Sequence, residues 1–287
     1  MTAFSREHVV LLIPQNDAEA VQIIRMSKKL GIQTLVSDKP HGARLEHEPD
    51  LVERLRETGK DEVVIVEIPG PEAEQQLRDV GFTVHVIDHH RYEKLDRMSN
   101  AETGEPLPSS LEQFLSLFDI DDAELTQHGF DARLVRGVGA MDRGFIWALQ
   151  RDGFTEEEVK RISREVRDLS KEARGDELMG LNEEAAKRAW EERTQVAEFV
   201  WVNSDEPRAE IRPVVSLMAA EQFGKPTPMI ITSRGGLLIY VQETPKSLEL
   251  FKKFGGFTFG QDTCWGYNNA LSKKKLDVSE VTDFLLQ

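Results

Sequence analysis

The residues best suited to chemistry cluster in one heptapeptide, Val84-His-Val-Ile-Asp-His-His90. An apolar run ends by presenting Asp88, His89 and His90. Two adjacent imidazoles beside a carboxylate can bind a divalent metal, orient one another or contact a phosphate. A turn after a strand also gathers polar residues for no chemical reason, so the triplet alone leaves both readings open. Further acids stand at comparable places. The apolar run 9–13 is followed by Pro14, Gln15, Asn16 and Asp17, and the run 63–66 by Glu67. Asp142 lies between Gly139 and Gly144, where a backbone can approach a site closely. Each acid taken singly is an ordinary surface or helix-capping residue. Together, three acids and a histidine offer oxygen and imidazole donors to one hard cation.

The elements that must carry these residues follow from hydrophobic periodicity. Short apolar runs at 9–13, 33–36, 63–66 and 82–87 alternate with helical patterns at 17–30, 51–57 and 71–80, which stop at Gly31, Gly59 and Gly81. Strands alternating with helices imply βαβ crossovers and a parallel sheet, whose ligands bind beyond the carboxyl ends of the strands. A polar loop covers 92–108. Helical spacing then runs from Ser109 through Leu111, Phe114, Leu115 and Phe118, and returns at 131–150, 155–174 and 182–193. Near residue 195 strand-like runs reappear at 197–202, 229–232 and 237–241, with a hairpin turn at Arg234-Gly235-Gly236. A helix at 247–254 precedes Gly255 and Gly256. The expected architecture is α/β in two domains, 1–195 with a parallel sheet and a helical connector, and a smaller α/β domain at 196–287.

Composition narrows the function classes. The 287 residues carry a formal charge of −15, from 36 basic and 51 acidic side chains. The charge is uneven, with −14 on residues 1–195 and −1 on 196–287. Duplex nucleic acid is an unsuited partner, because its binding relies on many Lys/Arg–phosphate contacts. A small phosphorylated ligand held through a metal, or a short single strand in a local groove, suits such a surface. The longest apolar runs have five residues, against the ~20 of a membrane-spanning helix. The N-terminal segment reads as a first strand rather than a signal peptide. The single cysteine, Cys264, forms no internal disulfide, which fits a cytoplasmic setting.

The four acid- and histidine-bearing segments resemble the motifs of the DHH phosphoesterase superfamily, which includes RecJ-type exonucleases, oligoribonuclease-type phosphatases, cyclic dinucleotide phosphodiesterases and manganese pyrophosphatases. Family members carry a first motif His-x-x-Pro-Asp-Gly-Asp-Ala. Here Pro14, Asp17 and Ala18 match it, while Leu11 stands at the histidine and Gln15 at the first aspartate. Glu67 occupies the place of the second-motif aspartate. Asp88-His89-His90 is the third motif, intact. Gly139-Ala-Met-Asp142-Arg-Gly-Phe145 is similar to the fourth, with the early spacing off by one. The C-terminal part resembles the family's DHHA1 substrate-binding domain. Its glycine-rich loop corresponds to Gly255-Gly256, without the usual histidine.

What the resemblance implies is a two-domain fold with a cleft between, and metal-dependent phosphoester hydrolysis on a nucleotide or short oligonucleotide. Asp17, Glu67, His89 and Asp142 would ligate Mn²⁺ or Mg²⁺, with one ion expected because Leu11 offers no donor and Gln15 only a neutral one. Asp88, His89 and His90 would be catalytic, Asp88 orienting the histidines. His90, Gly255 and Gly256 would contact substrate phosphate. The two lost ligands support the alternative, a catalytically impaired relative that binds a nucleotide or protein partner without hydrolysis. Pyrophosphatase action is the less favoured variant. Trp265 and Tyr267 could stack a base or pack the core, and Lys252 and Lys253 could favour an anion or end a helix.

Overall fold

A computed structural model describes residues 5–39, 44–92 and 94–287. The chain divides into two compact units, one of residues 1–89 with 99–174 and the other of 90–98 with 175–287.

The first unit is built on β1 (Val9–Pro14), β2 (Gln33–Ser37), β3 (Glu62–Val66) and β4 (Thr83–Ile87), paired in the order β2-β1-β3-β4 and all parallel. The crossovers are α1 (Ala18–Lys29), α2 (Leu51–Glu57) and α3 (Pro71–Asp79). β1 is buried along its whole length, as a central parallel strand must be. Because strand side chains alternate, Val9, Leu11 and Ile13 pack into one core with α1, and Val10 and Leu12 into a second core with Leu55 and Leu77. Four more helices complete the first core: α4 (Ser110–Leu117), α5 (Asp122–Gln127), α6 (Ala132–Arg151) and α7 (Glu156–Arg174). A capping box at Ser109 and Glu112 starts α4.

α6 is broken at Gly144 and Phe145, and Phe145 has φ 59° and ψ −161°. That region is nearly reserved for glycine and costs a bulky residue about 1–3 kcal/mol. The strain lies three residues past Asp142, where it turns the chain out of the helix.

The second unit holds an eight-stranded sheet in the order β6-β5-β11-β12-β10-β9-β8-β7. Its strands are β5 (Arg91–Tyr92), β6 (Leu95–Asp96), β7 (Thr194–Val196), β8 (Phe199–Asn203), β9 (Met229–Ser233), β10 (Leu238–Gln242), β11 (Phe257–Phe259) and β12 (Cys264–Asn268). β8 and β9 run parallel, and β9–β10 is the hairpin expected from Arg234-Gly235-Gly236. The helices are α8 (Asp176–Glu191), α9 (Arg212–Phe223), α10 (Ser247–Phe254) and α11 (Val278–Leu285). The longer segment of this unit begins at Gly175, ahead of the composition shift near 195. The cause is α8, whose Ala185, Ala186, Ala189 and Trp190 share a core with Val200, Val202 and Ile231.

Gly255 and Gly256 have a structural explanation. Gly255 ends α10, and both glycines have positive φ, 77° and 87°. A Cβ on Gly256 would stand 2.3 Å from the carbonyl oxygen of Gly266. Gly256→Ala is therefore expected to cost at least about 2 kcal/mol, from backbone strain plus overlap with β12. Urea unfolding checks it, and an unchanged midpoint would show that the loop relaxes freely. Trp265 and Tyr267 are core residues. Trp265 is fully buried with its indole N–H on the Gly255 carbonyl at 2.8 Å, and the Tyr267 hydroxyl donates to Lys274 O at 2.7 Å. Lys253 lies over the Phe254 and Phe284 rings, at 5.2 and 4.2 Å from their centroids.

Candidate metal centre

Three of the four expected ligands converge, and an unforeseen one joins them. His89 follows β4, and its Nε2 is 2.9 Å from Asp142 Oδ2, 3.3 Å from Glu67 Oε1 and 4.0 Å from Glu19 Oε2. One donor atom from each of Glu19, Glu67, His89 and Asp142 lies within 4.8 Å of the others. The side chains of Glu19, Glu67 and His89 are 2%, 6% and 10% exposed, and Asp142 is 33% exposed on the open side. All four belong to the first unit.

Each element places its residue for a local reason. Glu67 takes the left-handed conformation, φ 51°, directly after β3, and its N–H reaches the carbonyl of Ile87 at the end of β4 at 3.1 Å. That bond sets Glu67 beside the start of the Asp88-His89 segment. Asp142 is brought in by α6, which approaches α4 closely because residue 139 is glycine. A Cβ there would meet Ser109 Oγ at 2.7 Å.

The first turn of α4 acts as the platform. Ser110 Oγ donates to Glu67 Oε1 at 2.7 Å, and the Leu111 N–H donates to Glu19 Oε1 at 2.9 Å. Gln113 Nε2 donates to Asp88 O at 2.9 Å, and Glu112 accepts from Arg143, the neighbour of Asp142, at 3.1 Å. A helix N-terminus carries free N–H groups and partial positive charge, which suits the two glutamates placed against it.

Asp17 stands outside that group of donors and caps α1. It is the N-cap, and its Oδ1 accepts the Ala20 N–H at 2.8 Å. The half-buried carboxyl is pushed up to about 7, first by burial and then by Glu67 and Asp142, against the opposing pull of the Ala20 bond and Arg174. Burial, Asp142 and Glu67 likewise hold Glu19 well above the usual carboxylate range. Burial alone would lower the His89 pKa, but its contacts with Asp142 and Glu67 outweigh that and hold it well above the ordinary histidine value. Asn is as good an N-cap as Asp. Asp17→Asn should therefore raise the melting temperature of the metal-free protein strongly at about pH 8, where it removes a crowded charge, and by much less near pH 5, where the folded carboxyl is already protonated. Thermal scans in EDTA at both values check this, and equal effects at the two would remove Asp17 from the site's field.

The other expected residues are placed as follows. Asp88 is 2% exposed at the end of β4. His90 falls in the second unit, its ring 6.0 Å from that of Tyr92. Leu11, at the family's histidine position, is fully buried in the α1-side core. Gln15 lines a pocket of about 370 Å³ with Val36, Ser37, Asp38, Lys39 and Ala173. Glu19 escaped the sequence reading, because an acid in a helix's first turn is commonplace. A signal was available, since Ala18, Ala20 and Val21 around it mark that turn as buried.

Fold and site together define an α/β protein with an acid–histidine cluster at the carboxyl ends of parallel strands. Neither a family model nor a curated protein matches the chain. Among solved structures it is similar to the exonuclease RecJ bound to manganese, at 14% identity and a TM-score of 0.48, covering 98% of this chain and 89% of that one. RecJ from Thermus thermophilus in complex with Mn²⁺ is similar at 14% identity and a TM-score of 0.49, over 98% of this chain and 51% of that one. A pGpG-specific phosphodiesterase, PggH, from Vibrio is similar at 12% identity and a TM-score of 0.34, over 97% of both chains. No helix among the described residues is long and apolar enough to cross a membrane.

Proposed function

We propose that the chain is a DHH-type, metal-dependent phosphoesterase acting on a nucleotide or short oligonucleotide. The observation that carries this is the convergence of Glu67, His89 and Asp142 with further carboxylates, at the strand ends where such sheets bind ligands. The donor set fits a hard divalent cation, Mn²⁺ or Mg²⁺, because it is all carboxylate and imidazole and contains no thiolate. The crowded carboxylates favour a cation over an empty site. A divalent ion held there would lower the pKa of water and neutralise phosphoryl charge.

The protein's own residues do the rest. Glu67 is held by Ser110, and His89 is held between Glu67 and Asp142, so their geometry is set before substrate arrives. Asp88 follows β4 and fixes the backbone of His89, since its carbonyl is held by Gln113. His90 is the expected phosphate contact. For Gly255 and Gly256, backbone geometry supports a structural role, and phosphate contact stays part of the proposal.

A second reading, binding without hydrolysis, is favoured by Leu11, whose burial in the core leaves the first-motif metal position without its imidazole. A Mn²⁺-dependent screen over bis-p-nitrophenyl phosphate, short oligonucleotides, cyclic dinucleotides and pyrophosphate decides between them, with His89→Ala as control. Turnover lost in the control supports the hydrolase. Ligand binding with no turnover on any substrate supports the second reading.

A further inference from the structure

Glu19 is a buried side chain that the local structure of its helix does not explain. It stands in the first turn of α1, a place where acids normally face water, yet it is 2% exposed. One oxygen, Oε1, accepts the Leu111 N–H. The other, Oε2, is buried with no hydrogen-bond partner and points toward His89 Nε2 at 4.0 Å, within the converging donors of Glu67 and Asp142. A buried carboxylate oxygen without a donor is costly, and more so beside other carboxylates. A cation at that point removes the cost.

We infer that Glu19 is a metal ligand of this chain, occupying the cluster in place of Asp17, which caps α1 instead. The inference rests on the metal-dependent reading above and changes its ligand set. The ion would be held by Glu19, Glu67, His89 and Asp142. Leu111 and Ser110 act as positioning groups, each fixing one oxygen of a glutamate. With Oε1 of Glu19 committed to Leu111, that glutamate offers its free oxygen alone. The relocation supplies a carboxylate to a site that has Leu11 and Gln15 at two family ligand positions.

The test compares Glu19→Gln with Asp17→Asn by isothermal titration with Mn²⁺ and by thermal scans in EDTA. Gln keeps the shape and the Leu111 bond but loses the charge. Glu19→Gln is expected to melt higher than wild type in EDTA, since the cost of burying that carboxyl group, charged or protonated, is gone. Its Mn²⁺ affinity should fall at least about tenfold further than that of Asp17→Asn. A merely structural glutamate would not give that opposed pair of effects. Should Glu19→Gln not fold, anomalous scattering from a Mn²⁺-soaked wild-type crystal gives the same answer, with the ion expected about 2.0–2.3 Å from Glu19 Oε2. Wild-type affinity retained in Glu19→Gln but lost in Asp17→Asn would overturn the inference and leave the metal-dependent reading standing. A wild-type protein that binds neither Mn²⁺ nor Mg²⁺ would overturn both.

Discussion

On the proposed hydrolase reading, His89→Ala is expected to drop metal-dependent turnover to background, and the metal-free fold is expected to lose about 3–5 kcal/mol at neutral pH. The stability loss has a definite electrostatic origin. His89 is held protonated by Asp142 and Glu67 in spite of its burial, so without metal it is the cationic member of the cluster. Removing one partner of a buried pair leaves the other charged and uncompensated, which costs more than the pair contributes. Glu67 and Glu19 are too buried for water to take over. Urea unfolding in EDTA measures the loss, and a parallel series in Glu19→Gln separates the mechanism from simple cavity formation. With one carboxylate neutralised, the penalty for losing His89 should shrink, a coupling that a double-mutant cycle reads directly. A penalty below about 1 kcal/mol, as for an exposed pair, would mean that the imidazole does not carry the charge assigned to it.

The parts legible in the sequence were those whose signals are local. β1, β3 and β4 announce themselves as short apolar runs ending in polar residues, and their carboxyl ends gave Glu67 and His89 directly. The sequence marks α10 at its observed bounds because Gly255 stops it. Other elements carry weaker local signals. α9 is apolar on nearly all sides, so periodicity does not mark it as a helix, although Pro213 just inside its start is a starting signal. α11 carries a capping box, Asp277 with Glu280, a signal present in the sequence itself. β11 and β12 hide behind glycines and aromatics that suit a ligand loop as well as a strand.

Within the site, the acids were legible but their division of labour was not. Asp17 and Glu19 stand two residues apart in one turn. Only the packing of α4 against α1 decides which caps the helix and which enters the cluster, and that contact spans 92 residues of sequence from Glu19 to Leu111. Side-chain partners at such separation leave no trace in periodicity. The same holds for Ser110, an ordinary residue after an N-cap until its hydroxyl is seen on Glu67.

The cluster also fixes how stability responds to pH. In the metal-free protein, stability should fall steadily from about pH 5 to about pH 8, and Mn²⁺ should restore it progressively more toward the alkaline end. Asp17 titrates near 3.8 when unfolded and about 7 when folded. Between those values the folded state holds a proton that the unfolded state has released, so each rise in pH favours unfolding. Glu19 is displaced in the same direction from 4.5, with burial again the first cause. His89 adds to it from 6.5 upward, where the unfolded imidazole is neutral and the folded one still charged. All three groups give stability that is lost as pH rises. The carboxylates pulled the other way, Glu124, Asp131, Glu158 and Asp277, have unfolded values of 3.8–4.5, so their opposing contribution fades between about pH 5 and pH 6 and leaves the trend above that range unopposed. Bound Mn²⁺ reverses the logic, because the deprotonated ligands are what it binds and it does not bind the unfolded chain in that geometry. The gain in melting temperature on saturation with Mn²⁺ should therefore grow between pH 5 and pH 8, while the EDTA curve declines. Thermal scans across that range, with and without metal, measure both. An EDTA curve that is flat or rising would mean that the three groups are not packed together in the folded protein, and the metal centre would go with them.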